Sequence, residues 1–476
     1  MEQIAHPSVE ERVERGKAAR AKVPRASHQG WEPSSDRSDP VALLEEQNTT
    51  REPDLVPVRH GRMMVSPFTF YRGAAKIMAA DLEDTPTAGL DVQLCGDAHL
   101  SNFGVYASPE RELVFDLNDF DETLPGPFEY DVKRMAASFT IAARNNGYSE
   151  EDGRAATLAS VNAYRMAVHE YAAMRTMQIW YDHMSADDVM RAVDVAARSA
   201  EHSGDKKAAR AAQKTARKTA AKAQSRDSLQ ALSKLAEYVD GQYRIVSQPP
   251  IVVRAVDAAK SIGLPAEEIE HLIHEQFREY RATLQDDRRH LLERFEVVDV
   301  ARKVVGVGSV GTRAFIVLLQ GRDQQDPLFL QIKEATASVL EDNLPKSRYA
   351  QPGERVVHGQ RLMQAASDIF LGWTRGVQDD RFFYWRQLRD MKGSVAVEGM
   401  TPEGLGFYAR LCGRTLARAH ARSGDPVALA TYLGKKDRFD ESITDFSLRY
   451  ADQNDRDYEA FVDAIRSGRL PVVEGV

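Results

Sequence analysis

Gly96-Asp97-Ala98-His99-Leu100-Ser101-Asn102-Phe103-Gly104, followed by the acid-rich run Asp116-Leu117-Asn118-Asp119-Phe120-Asp121-Glu122, is the stretch on which the reading of this chain turns. Val92 and Leu94 lead into Asp97, and Leu113, Val114 and Phe115 lead into Asp116. The pattern predicts strand, polar loop, strand, polar loop. That order brings a carboxylate, an amide and further carboxylates to one edge of a small sheet, an edge suited to a divalent metal and a phosphate. The plainer alternative is that Asp97 and Asn102 only cap a turn. Two acidic loops after two apolar strands weigh against it.

A second stretch, Val304-Val305-Gly306-Val307-Gly308-Ser309-Val310-Gly311, runs on through Phe315-Ile316-Val317-Leu318-Leu319 and, after a turn at Gly321 to Pro327, into Leu328-Phe329-Leu330-Gln331-Ile332-Lys333. A Rossmann unit would place a helix after the glycines, whereas here a strand follows. Gly306, Gly308 and Gly311 would let backbone amides approach phosphate, and Lys333 would neutralise it. A following helix should supply a carboxylate to pair with Lys333. Glu354 is the first choice and Glu341 the reserve, while Glu334 points to the opposite strand face. Phe382-Phe383-Tyr384-Trp385-Arg386-Gln387-Leu388 reads as a strand leading to a hinge whose backbone could bind adenine. The helix from about Pro402 to Arg422 ends near His420, a structural histidine.

These motifs resemble those of kinases. Asp97 and Asn102 stand five apart, as do the base and the metal-binding Asn of the kinase catalytic loop, and Asp119-Phe120-Asp121 is similar to the metal-binding Asp-Phe-Gly. Gly96 and His99 around Asp97 resemble the loop of aminoglycoside and other small-molecule phosphotransferases, in which an Asp at the position of Asp131 braces the metal loop. The resemblance implies that Asp97 orients or deprotonates an acceptor hydroxyl and that His99 braces the loop. Asn102 and Asp119 would hold magnesium, with Asp116 and Asp121 as alternatives to Asp119. Lys333 and the glycine loop would position the phosphates of ATP. Either Arg62 or Arg72 faces phosphate, or both make ordinary ion pairs.

In ordinary kinases the glycine loop and lysine precede the catalytic loop; here they follow it. The expected fold is therefore α+β and protein-kinase-like, two-lobed with permuted lobe order and a large helical insertion. The break falls between the helix ending at His420 and the strand entering Asp97, which requires the joined ends to lie close at the surface. After residue 50 the chain also resembles the bacterial family catalogued as domain of unknown function 2252. The resemblance rests on Ser66 to Gly73, Gly96 to Gly104, Phe115 to Pro127, Asp131 to Ala137, Gly306 to Gly311, Gln331 to Ala335, Arg355 to Trp373 and Leu416 to Asp425. It implies membership and little about activity.

Composition sets the outer bounds. With 476 residues the chain can bury a large core, and 63 basic against 71 acidic residues make it no general binder of polyanions. Cys95 and Cys412 alone supply neither a disulfide framework nor a thiolate metal site. With no leader pattern and no long apolar run, a cytoplasmic protein is expected. The parts read as a polar N-terminal arm (1–58), the catalytic-loop and metal-loop part of a C-lobe (59–148), a helical insertion (149–299), an N-lobe-like sheet (300–395) and C-terminal helices completing the C-lobe (396–476). Within the insertion, Lys206, Lys207, Arg210, Lys214, Arg217, Lys218, Lys222 and Arg226 form a basic stripe with no acid among them. A solvated helix face is its ordinary meaning. The expected function is ATP- and magnesium-dependent phosphoryl transfer to an unnamed small-molecule or protein hydroxyl. The alternatives are nucleotidyl (AMP) transfer on the same scaffold, a nucleotide-binding pseudokinase with a regulatory role, and nucleic-acid binding through the stripe.

Overall fold

The computed structural model describes residues 6–202, 221, 228–261, 265–304, 306–376, 381–388 and 391–475. The chain mixes helices and strands throughout, as an α+β protein does. β1 (Asp91–Leu94), β2 (Phe103–Ala107), β3 (Leu113–Leu117) and β4 (Leu124–Pro127) form where the apolar runs place them. β1 pairs antiparallel with β4, Val92 opposite Gly126, and β2 with β3, Val105 opposite Phe115. All of β3 is buried, which is why its apolar residues do not alternate with exposed ones and Asp116 is buried among them.

Behind these strands lies the helical body. Its central helix, Phe128–Asn145, is buried from Phe128 to Ala143, and such a helix must be covered on every side. Helices Glu150–Ala172, Pro402–Ser423 and Arg438–Arg466 surround it. Gly413 backs onto the Ser160 carbonyl, so a side chain there would force apart two of these helices. The end of helix Pro402–Ser423 meets β1 directly: the Gln93 amide donates to Ser423 Oγ at 3.0 Å.

The stretch 149–299, expected to be a mostly helical insertion, is divided. Its first helix, Glu150–Ala172, packs along Pro402–Ser423 as part of the body. Further on, β5 (Ala236–Val239) and β6 (Gln242–Ile245) form a hairpin around Asp240-Gly241, both at positive φ (51° and 84°), and β7 (Val252–Arg254) joins the large sheet. Residues of the basic stripe between Lys206 and Arg226 lie outside the described residues.

β8 (Glu296–Lys303), β9 (Ala314–Gln320), β10 (Pro327–Ala335), β11 (Gly372–Arg375) and β12 (Phe382–Gln387) complete an antiparallel six-stranded sheet in the order β11-β12-β10-β9-β8-β7, while β13 (Gly393–Ser394) pairs with β2. The two-residue period of a strand sets the faces of this sheet. Lys333 opposite Tyr384 and Gln331 opposite Arg386 share one face; Ile332 opposite Trp385 lies on the other. Helix Ala266–Ala282 covers that second face through Tyr280, stacked on Trp385 with ring centroids 4.4 Å apart.

The N-terminal segment lies against the helical body. Helix Val9–Lys22 rests on helix Pro426–Leu433, with Arg20 Nη1 donating to the Thr431 carbonyl at 3.1 Å and Arg25 Nη1 to the Leu433 carbonyl at 2.7 Å. The chain around Gly73 forms two helices, Pro67–Gly73 and Ala75–Glu83, separated at Ala74. Among the described residues no helix is long and apolar enough to cross a membrane.

Candidate functional site

The loop after β1 is held from below. Asp131, in the first turn of helix Phe128–Asn145 where the helix dipole favours a carboxylate, accepts the amides of Cys95 (2.6 Å) and Gly96 (2.9 Å). His420 Nε2 lies 3.2 Å from Asp131, and His420 Nδ1 lies 2.9 Å from the Tyr164 hydroxyl, so this histidine is buried structure. Gly96 has φ +86°, and a Cβ there would run into the Glu122 carbonyl. The two acidic loops therefore touch at a point that only glycine fits.

Asp97 follows, its side chain 21% exposed. Arg134 Nε donates to Oδ1 at 2.8 Å, while its Nη2 donates to the Tyr71 carbonyl and its guanidinium lies 3.9 Å from the Tyr71 ring centroid. Oδ2 is left facing His99 Nε2 at 3.7 Å, beyond hydrogen-bond range. Burial pushes the His99 imidazole down to about 4, with Arg134 and Arg72 acting against the opposite pull of Asp97. His99 is thus neutral at pH 7. Asn102 Nδ2 donates to the Asp97 carbonyl at 2.5 Å, and the Asn118 amide donates to the Asn102 carbonyl at 2.8 Å, which joins the loop after β1 to the loop after β3.

The sheet meets these loops through Lys333. From β10 its Nζ reaches Asp121 Oδ2 at 2.5 Å and Asp119 Oδ1 at 3.3 Å, and the Tyr384 hydroxyl donates to Asp121 Oδ1 at 2.7 Å. Ser309 Oγ of the glycine loop stands 3.5 Å from Asp121 Oδ2. Burial alone would push the Asp119 carboxyl up, but Lys333, Arg386 and Lys392 outweigh it and hold the group well below the usual carboxylate range. Burial likewise lowers Lys333, and Asp119 and Asp121 overcome that and raise it. Lys392 shows the opposite balance: burial and Arg386 bring it down to about 7 despite Asp119. Two carboxylates and three cations thus converge from segments far apart in sequence.

Two expected residues lie elsewhere. Glu354 does not pair with Lys333. It sits 3.7 Å from His358 one turn along, on the outward side of helix Pro352–Met363, whose inward side is formed by Arg355, Val356, Val357, Gln360 and Met363. The neighbouring Arg355 faces inward instead, donating to the carbonyls of Thr123 (2.5 Å), Asp121 (2.8 Å) and Thr336 (2.9 Å) and so fastening the acidic loop to the end of β10. Asp116 is 1% exposed and turned into the body. Arg418 holds its Oδ1 at 2.6 Å and the Ala365 amide its Oδ2 at 2.9 Å, which leaves it apart from Asp119 and Asp121. Glu334 lies on the far face of β10, 2.9 Å from Arg381, and Glu341 lies 3.8 Å from Arg355. Arg355, Tyr384, Arg386 and Lys392 are the site residues that sequence reasoning missed. For Tyr384 and Arg386, the alternation along β12 with Lys333 across the ladder was the available signal.

The glycine loop is gripped from outside. Arg62 Nη1 donates to the Gly306 carbonyl at 2.6 Å, Arg51 Nη1 donates to the Val310 carbonyl, and the Glu52 amide donates to the Gly311 carbonyl at 2.7 Å. Gly306 (φ +70°) and Gly311 (φ +90°) take backbone conformations that side chains disfavour. A Cβ on Gly308 would approach the Arg72 carbonyl to 3.0 Å, so the loop lies against the end of helix Pro67–Gly73.

Among the described residues no three His, Cys, Asp or Glu side chains converge as a metal cage. Asp119 and Asp121, 33% and 29% exposed, fit the different arrangement in which magnesium rests on one or two carboxylates and takes its other ligands from phosphate and water. The family described as an uncharacterized protein conserved in bacteria (DUF2252) matches residues 51–464, and the chain belongs to that family. No curated protein and no solved structure matches it.

Proposed function

We propose that this member of the family is a kinase-like phosphotransferase, with permuted lobe order, that passes the terminal phosphoryl group of ATP to a hydroxyl acceptor. One observation carries the reading: Lys333, on a strand beside a glycine loop, spans Asp119 and Asp121 on the loop after β3, next to a second loop that offers the open Oδ2 of Asp97. A lysine that neutralises phosphate, a carboxylate pair for the metal and a separate carboxylate for the acceptor are the parts phosphoryl transfer needs. The permuted order is supported by the contact between Ser423 and Gln93, which brings the end of helix Pro402–Ser423 to the start of β1.

In this reading Asp97 Oδ2 accepts the acceptor's hydroxyl proton. The acceptor oxygen bonds to the terminal phosphorus while the bond from that phosphorus to the bridging oxygen breaks, and ADP leaves. Arg134 holds Asp97 in place through Oδ1, and neutral His99 flanks Oδ2 without competing for its charge. Asp119, Asp121 and Asn102 would hold magnesium, which supplies charge neutralisation at the phosphates. With nucleotide present, Lys333 exchanges part of its contact with the carboxylates for contact with phosphate. The glycine loop, clamped by Arg51 and Arg62, covers the same edge.

The test is a thermal-shift titration with ATP, with and without magnesium, on the native protein, Asp119→Ala and Lys333→Ala. A ligand at a hundred times its dissociation constant stabilises the folded state by about 2.7 kcal/mol. Magnesium-dependent stabilisation that is lost in both variants is expected. No stabilisation by any nucleotide would sink the reading, and a protein or small molecule gaining the mass of AMP would replace phosphoryl by nucleotidyl transfer.

A further inference from the structure

Arg72 is a cation in search of an anion. It lies in the last turn of helix Pro67–Gly73, half-buried, and its Nε is fully enclosed with no hydrogen-bond partner. Among the described residues its side chain makes no ion pair, although Asp97 and Glu398 lie within electrostatic reach and His99 feels its charge. Its neighbours are all committed. Arg134 is spent on Asp97 Oδ1 and the Tyr71 carbonyl, Arg59 on Asn48, Gln47 and the Gly73 carbonyl, and Arg62 and Arg51 on the glycine loop.

Its position is equally specific. The backbone of Arg72 abuts Gly308 of the glycine loop on one side; on the other, the carbonyl of the adjacent Tyr71 accepts from Arg134 Nη2, whose Nε holds Asp97 Oδ1, and the Arg72 charge reaches Asp97 and His99. It therefore stands between the glycine loop, which would cover the donor phosphates, and the Asp97 Oδ2 that would take the acceptor's proton. Enclosing the Nε of a guanidinium with no hydrogen-bonded partner is costly, and an anion that completes the pair recovers that cost. Arginine's planar fork also matches the oxygens of carboxylate and phosphate groups.

We infer that Arg72 and the open edge of Asp97 form the acceptor subsite, and that the acceptor is a hydroxyl compound carrying an anionic phosphate or carboxylate group. The assignment rests on the phosphotransferase reading for the role of Asp97, whereas the anion site itself does not. Neutral alcohols and amino sugars with cationic substituents are poor acceptors on this view.

Three probes with one carbon frame test it: glycerol 3-phosphate, glycerate and glycerol, titrated calorimetrically into the native protein, Arg72→Gln and Arg72→Lys, with and without a non-hydrolysable ATP analogue and magnesium. At least one anionic probe should bind the native protein about tenfold or more tighter than glycerol, a difference of about 1.4 kcal/mol. The preference should vanish in Arg72→Gln and survive in part in Arg72→Lys, and the phosphate and carboxylate arms identify the preferred oxyanion. Affinity for the nucleotide should be equal in all three proteins. Unliganded Arg72→Gln should melt no lower than the native protein, because it removes an unpaired cation; a marked drop would make Arg72 structural and overturn the inference. Equal binding of the three probes, or anion binding that survives in Arg72→Gln, would also overturn it. Weakened nucleotide binding in Arg72→Gln would move Arg72 to the donor side. If nucleotide fails to bind any of the proteins, the phosphotransferase reading falls, yet Arg72-dependent anion binding remains measurable and decides the anion site by itself.

Discussion

Replacing Lys333 with methionine removes the side chain that, among the described residues, joins the six-stranded sheet to both Asp119 and Asp121. The lysine is 3% exposed, and its partners Asp119 and Asp121 are 33% and 29% exposed. Breaking a fully buried pair costs about 3–5 kcal/mol because a charge is stranded, but water reaches both carboxylates here, so a loss of about 2 kcal/mol is expected. Methionine keeps most of the buried stem volume, which confines the change to charge. Urea unfolding followed by tryptophan fluorescence suits the measurement, since Trp373 and Trp385 lie in that sheet.

The pH dependence separates this mechanism from a packing defect. The Asp119 carboxyl lies below its unfolded value once Lys333, Arg386 and Lys392 have overcome burial. A depressed carboxyl contributes stability that is present above its unfolded value of about 3.9 and drains away as pH falls through the folded value. Lys333 is raised, so its contribution is present below its unfolded value of about 10.4 and is lost only as pH rises through the folded value. The deficit of Lys333→Met should therefore stay flat from about pH 5 to 9 and shrink below about pH 4. Adding Asp121→Asn should restore part of the loss, a non-additivity that reports the contact itself. A variant as stable as the native protein at pH 7, or a deficit unchanged at pH 3, would refute the reasoning.

Other expectations follow from single contacts. Gly96→Ala puts a Cβ into the Glu122 carbonyl at φ +86° and should abolish soluble protein, whereas Gly89→Ala, at φ +70° in open space, should cost only about 1–2 kcal/mol in chemical unfolding. Asp131→Asn weakens the two amide contacts that brace the loop before Asp97, and hydrogen exchange at Cys95 and Gly96 should quicken as about 1.5–3 kcal/mol is lost. Burial pushes the Glu122 carboxyl up to about 7 against the pull of Arg355 and the Val339 amide. A raised carboxyl binds more protons folded than unfolded, so the native protein should lose stability relative to Glu122→Gln as pH rises from about 4.5 to about 7, with no further pH-dependent change in the difference below that window.

How far the sequence could be read depended on the range of the interaction. Strand-and-loop order around Asp97 and Asp119 was legible because it is local: short apolar runs broken by polar turns leave little choice of element. The face of β10 was legible too, since a period of two separates Lys333 from Glu334 without reference to anything else. Glu354 misled because carboxylate identity was weighed above helix phase. Val356, Val357, Gln360 and Met363 mark the inward side, and Glu354 pairs with His358 on the other. Asp240-Gly241 between two alternating runs was an available hairpin signal, outweighed by the helical pattern on both sides. Asp116 differs in kind. Its partner Arg418 lies on a helix near the other end of the chain, and no local pattern distinguishes a carboxylate that will meet a buried arginine from one that will meet a metal. The same holds for Arg72, whose importance lies in having no hydrogen-bond or ion-pair partner among the described residues, a property that exists only once every other charge around it has been placed.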